Sequence, residues 1–203
     1  MRKHLNTVSL AIKILVGKDN IKEARNNMDL EIFDWHQNNL LADKVLKALE
    51  RLPAELIIGV TKNDDKLADT DKWSEVYDIP LGQAANVIIV ETRKTRNSEP
   101  NFAAVLVHGD KRADLNGIVK KIMGISKISF AKFEQATELT EMESGGMSPI
   151  GLPSDWTLVV DEAIIQTDKL YLGSGLRKSK LVVNGSIFKY LQNNVIIEKI
   201  IKS

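Results

Sequence analysis

The stretch Val87-Ile88-Ile89-Val90, a polar interval over 93–100, and Phe102-Ala103-Ala104-Val105-Leu106-Val107 carry the strongest fold signal in the chain. Two nearly continuous apolar runs with so short a connection predict an antiparallel hairpin. Upstream, Leu56-Ile57-Ile58-Gly59-Val60 has the composition of another buried strand. Downstream, Leu158-Val159-Val160, Leu170-Tyr171-Leu172, Leu181-Val182-Val183 and Val195-Ile196-Ile197 repeat it, and 127–131 reads as a shorter strand. The strands at 56–60, 87–90, 102–107 and 158–160 are expected to share one mixed sheet.

Between the strands the apolar spacing turns helical. Leu115, Ile118, Val119 and Ile122 make one face of a helix over 113–123 that stops at Gly124, and 133–142 reads as another. Thr70 or Asp71 is placed to cap a short helix carrying Trp73, Val76 and Tyr77, which ends before Pro80. Asn184-Gly185-Ser186 introduces a last short helix. The first fifty residues read as helix. Leu10, Ile14 and Leu15 lie at helical spacing, a charged stretch follows to about Asn27, and Leu40, Leu41, Val45, Leu46 and Leu49 form a stronger stripe before Pro53. The expected class is α+β: a mixed, mostly antiparallel central sheet with surrounding helices. Residues 1–54 are expected as a helical extension packed on a core of 55–203.

The chain has 203 residues, 43% hydrophobic and 27% charged, a globular composition that excludes a disordered regulator, a collagen-like rod and a disulfide scaffold. Lys and Arg total 28 against 27 Asp and Glu, so nucleic-acid contact is expected to be local rather than a coat of positive charge. The lack of cysteine removes disulfides, thiolate zinc sites and Cys nucleophiles together. No run approaches the roughly 20 apolar residues of a membrane span. Met1-Arg2-Lys3-His4 leads into an apolar stretch broken by Lys13, with no cleavage site after it. The expected location is the cytoplasm, with no membrane partner.

No phosphate loop, nucleophile elbow or H-E-x-x-H helix is present, and His4, His36 and His108 have no ligand-like spacing. No metal and no cofactor are expected. Two segments stand apart. Glu143-Ser144-Gly145-Gly146-Met147-Ser148-Pro149-Ile150-Gly151-Leu152-Pro153 packs three glycines and two prolines into eleven residues. Such a loop can hold an oxyanion, a carboxylate or a ribose through its N–H groups, or it is simply a tight connection. Gly173-Ser174-Gly175-Leu176-Arg177-Lys178-Ser179-Lys180 sets two glycines beside three cations. It reads as a phosphate approach or as a solvated basic surface. Asp161, just past a buried strand, is either a carboxylate at a pocket rim or the cap of the next turn.

In this order the segments resemble the YbaK/EbsC family, aminoacyl-tRNA deacylases related to the editing insertion of bacterial prolyl-tRNA synthetase. The resemblance runs from about Glu55 to Lys199. It rests on Ile79-Pro80-Leu81-Gly82-Gln83-Ala84-Ala85 before the first hairpin strand and Gly109-Asp110 after the second. Gly145-Gly146-Met147-Ser148-Pro149-Ile150-Gly151 is similar to the family's G-x-x-x-P loop, and the Asp161 strand end and Gly173-Ser174-Gly175-Leu176-Arg177 complete the set. The resemblance implies the prolyl-tRNA synthetase editing-domain fold over 55–203. It also implies hydrolysis, in trans, of the ester between a wrong amino acid and the terminal adenosine of tRNA.

No protein nucleophile is implied: water attacks, the loop holds the amino-acid end through its backbone, and a ribose hydroxyl assists. The implied site is Asn86, Gly145, Gly146, Met147, Ser148, Pro149 and Asp161 around the ester, with Gly173, Ser174, Gly175, Arg177 and Lys178 toward the phosphates. The implied partners are aminoacyl-tRNA, through its acceptor end, and an aminoacyl-tRNA synthetase. Many family members carry Lys where this chain has Asn86. A second expectation is therefore a non-catalytic module of the same fold that holds tRNA or a nucleotide.

Overall fold

The computed structural model describes residues 30–36 and 38–202. The expected hairpin is its centre. β3 (Ala85–Arg93) and β4 (Asn101–His108) pair antiparallel from Ala85 opposite His108 to Thr92 opposite Asn101. β5 (Lys127–Phe130) joins the free edge of β3 antiparallel. On the other side β6 (Thr157–Asp161) runs parallel to β4, and β9 (Asn194–Glu198) parallel to β6. The five-stranded order is β5-β3-β4-β6-β9.

The run Leu56-Ile57-Ile58-Gly59-Val60 does not join this sheet, contrary to the expectation of one shared sheet. It becomes β2 (Ile57–Lys62) of a second, four-stranded antiparallel sheet. The order there is β1 (Ile32–Phe33), β2, β8 (Ser179–Val183) and β7 (Leu170–Gly173). A single parallel bridge between Ala84 and Tyr171 ties the two sheets together. An apolar run marks a strand but carries no information about its partner, which is why composition could not separate the sheets.

Both sheets nevertheless share one core. Ala104, Leu106, Leu158 and Val160 of the first sheet pack with Val60, Leu172, Leu181 and Val183 of the second. The opposite face of β4 buries Ala103, Val105 and Val107 in a separate cluster with Val119 and Ile200. That double burial explains the unbroken apolar composition of 102–107.

Four helices accompany the sheets among the described residues: α1 (Asp43–Leu49), α2 (Thr70–Tyr77), α3 (Lys120–Ile122) and α4 (Phe133–Thr140). A wider π-helical turn, Leu115–Val119, leads into α3. The helices expected before residue 28 lie outside the described residues. Within the described part of 1–54, Ile32–Phe33 is a strand on β2 rather than helix. The leucine stripe is α-helical only from Asp43, with Leu40 closing a 3-10 turn over Asn38–Leu40, and Leu40, Leu41, Val45 and Leu49 enter the shared core. The cap of α2 is Asp69, whose carboxylate accepts from the Asp71 and Lys72 N–H groups, not Thr70 or Asp71. The Thr70 hydroxyl is engaged elsewhere. Among the described residues no helix is long and apolar enough to cross a membrane.

Candidate functional site

A cavity of about 470 Å³ opens where β3 of one sheet meets β7 and β8 of the other. One wall is the β3 strip from Ala85 to Ile89, and the opposite wall is Ser144, Gly145 and Met147 with Gly173. The rim carries Phe130 and Phe133, 71% and 73% exposed. Two aromatic rings left in water at a cavity mouth are suited to stacking on a flat ligand.

Asn86 enters the cavity from β3. Its Oδ1 accepts from the Thr70 hydroxyl at 2.6 Å, which fixes the amide and turns Nδ2 to a donor with no partner among the described residues. The start of α2 thus orients a residue on β3, a contact that spacing along the chain does not reveal.

The glycine loop is held against the 173–177 segment. Gly175 N–H donates to Gly146 O at 2.7 Å and Glu143 N–H to Gly175 O at 2.9 Å. A Cβ on Gly173 would run into the Met147 carbonyl, and one on Gly146 into the Leu176 and Arg177 backbone. Those glycines permit backbone to lie on backbone. Gly145, at φ +81, lies at the surface of the turn. The N–H groups of Gly145 and Met147 donate to no described residue. Beneath, the Ser148 hydroxyl accepts from Ile150 N–H, and Ser148 and Pro149 are buried.

The remaining expected residues lie behind the cavity or away from it. Ser174 is fully buried, its hydroxyl bonded to Ser179. Gly175 packs against Ala42, whose N–H donates to Ser174 O. Arg177 spans two segments, donating to Ser144 O at 2.9 Å and Asp65 O at 3.0 Å. Lys178 is exposed on a separate hollow beside α1. Asp161, 1% exposed, accepts from Ala163 N–H and Ile200 N–H at the end of β6. Of its two sequence readings, this geometry is the turn cap.

Its neighbours in sequence group Lys180 with the basic surface, yet β8 turns it inward. It lines the cavity, is 6% exposed, and lies 5.4 Å above the Trp73 ring. Its Nζ has no hydrogen bond or ion pair among the described residues. Burial draws its pKa down to about 8, opposed by the field of Asp69. Its ladder neighbours, Thr61 on β2 and Gly173 on β7, carry no charge. The one available signal was register. Lys180 is two residues from the buried Val182 and so shares its face. No cluster of His, Cys, Asp and Glu that could hold a metal occurs among the described residues.

A cavity walled by glycines between two packed sheets is suited to holding a small polar group through main-chain and amide donors. The family model of the aminoacyl-tRNA editing domain matches residues 64–189, and the chain belongs to that family. Among its relatives is the proline--tRNA ligase of Bacillus cereus (strain AH820), 26% identical over 117 residues, covering 55% of this chain and 20% of the ligase. Proline--tRNA ligase 1 of Bacillus anthracis matches to the same extent. The chain thus spans about a fifth of the length of these relatives. The fold is similar to that of a solved structure described as "a putative trans-editing enzyme for prolyl tRNA synthetase". Its TM-score is 0.64 at 19% identity, over 79% of this chain and 96% of that one. A structure described as a hypothetical protein gives a TM-score of 0.61 at 20% identity, over 79% and 100%.

Proposed function

We propose that this chain hydrolyses, in trans, the ester joining an amino acid to the terminal adenosine of a mischarged tRNA. The observation that carries the reading is that residues lining one cavity keep donors with no partner among the described residues: Asn86 Nδ2 on β3 and the Gly145 and Met147 N–H groups of the loop. An ester needs positioning and oxyanion stabilisation more than a nucleophile, and such donors supply both. Phe130 and Phe133 at the rim suit the terminal adenine, and exposed Lys178 suits a phosphate further along the acceptor end. Arg177 acts through the loop, which its guanidinium clamps at Ser144. In this reading 55–203 is the editing unit. Residues of 1–54 support it, since Ala42 packs on Gly175 and Leu40 O accepts from the Ser179 hydroxyl.

A panel of mischarged tRNAs tests the proposal. The wild type is expected to clear at least one of them, and Asn86→Ala to slow that turnover about tenfold, the cost of one lost donor. Protein that clears none, while Asn86→Lys clears one, is instead a binding module of the same fold.

A further inference from the structure

We infer that Lys180 holds the carbonyl oxygen of the bound ester and carries the negative charge that develops there, an inference that rests on the deacylase reading above. Lys180 is 94% buried yet lines the cavity, and no carboxylate among the described residues pairs with it. The Trp73 ring at 5.4 Å and the field of Asp69 therefore compensate its charge only in part until a ligand arrives. Buried cations are normally paired; an unpaired one facing a cavity is an anion or oxygen receptor awaiting its ligand. Among the described residues it is also the one ionisable side chain lining the cavity.

Position decides which part of the substrate it meets. Lys180 stands directly across the ladder from Gly173, and the face of Gly173 is covered by the Met147 carbonyl. The ammonium therefore lies on the same side of the sheet as the loop whose Gly145 and Met147 line the cavity. The substrate's α-ammonium is repelled from that corner, while a carbonyl oxygen is drawn to it. Water adds to the carbonyl carbon and the oxygen takes the electron pair. Collapse breaks the bond to the ribose oxygen, which leaves with the proton from water, and Lys180 keeps its proton throughout. Its effect is electrostatic, greatest in apolar surroundings where the charge is newly formed.

The test is Lys180→Ala assayed on the tRNA that the wild type clears. The expected result is a kcat lower by about 10²–10³-fold with KM within about threefold. Added ethylammonium, which fits the space vacated, should restore turnover in proportion to its concentration. Near-wild-type kcat in the variant overturns the inference. So does a loss that ethylammonium leaves untouched in protein with unchanged circular dichroism. If the wild type clears no tRNA, the deacylase reading fails separately, and binding decides the contact. Adenosine bearing an α-aminoalkylphosphonate on its 3′ oxygen, whose anionic oxygen stands for the charge of the tetrahedral intermediate, should then bind the wild type about tenfold more tightly than Lys180→Ala. Equal affinities, or no binding to the wild type, overturn the inference.

Discussion

A buried lysine without a partner costs stability, and the sign and window of that cost follow from its protonation. Lys180 has a folded-state pKa of about 8 against 10.5 for an ordinary lysine, because burial disfavours the ammonium. The folded state therefore binds the proton less tightly than the unfolded chain. The penalty is fully present below about pH 8 and fades as pH rises toward 10.5, where the unfolded chain also loses the proton. Lys180→Met keeps the shape and removes the charge. It is expected to be more stable than the wild type at pH 7, by up to about 3 kcal/mol, with the gap closing above pH 8. Urea unfolding at pH 7 and pH 9.5 reads both values. A methionine variant less stable at pH 7 would mean that the fold itself satisfies the ammonium.

At the scale of elements, the glycine loop and the 173–177 segment act as one unit. Their contact is backbone to backbone, through Gly146 against Leu176 and Gly173 against Met147. Gly146→Val places a branched side chain where main-chain atoms already stand, so the two segments must part. The expected outcome is a loss of about 1–3 kcal/mol in stability together with loss of activity, read by thermal melting and deacylation. Gly145→Ala separates the two effects. Its positive φ costs an alanine about 1–2 kcal/mol. The added Cβ would stand 2.8 Å from Ala68 Cβ and from the Arg177 guanidinium that clamps the loop, so the turn at the cavity wall shifts while the two backbones stay in contact. Turnover should fall more steeply in Gly145→Ala than its melting temperature accounts for. Activity that tracks stability in both variants would make the loop a connection only.

Across the whole molecule, two sheets must stay packed for the cavity to exist, and His108 sits at one of the links. It ends β4, is 8% exposed, and its Nε2 lies 2.9 Å from the Thr167 hydroxyl in the segment before β7. Desolvation lowers its pKa, against the fields of Asp110 and Asp161, with Lys111 adding to the lowering. The folded state thus favours the neutral ring. Its contribution is intact above the ordinary histidine value of about 6.5 and is lost as pH falls through the lowered folded value. His108→Gln, which keeps a hydrogen-bonding group without the titration, should show a shallower loss of stability between pH 7 and 5. Parallel slopes in the two proteins would place the acid sensitivity elsewhere.

The sequence by itself determined the strands, because an apolar run or a two-residue alternation is a local property of the chain. The 85–108 hairpin, the strands at 157–161, 170–173, 179–183 and 194–198, and the turn capped by Asn184 all follow from such local signals. It also determined the family, through glycines whose need for close backbone approach is written in their order along the chain. Only the tertiary structure decided which sheet each strand joined, since pairing depends on surfaces brought together from distant segments. The same holds for the site. Asp161 and Ser174 look chemical in sequence and are tied up by backbone and hydroxyl partners. Lys180 looks like surface and is buried in the cavity. The reason is that a side chain's chemistry depends on what faces it, and residues such as Thr70 and Asn86, or Lys180 and Trp73, meet only after the two sheets close.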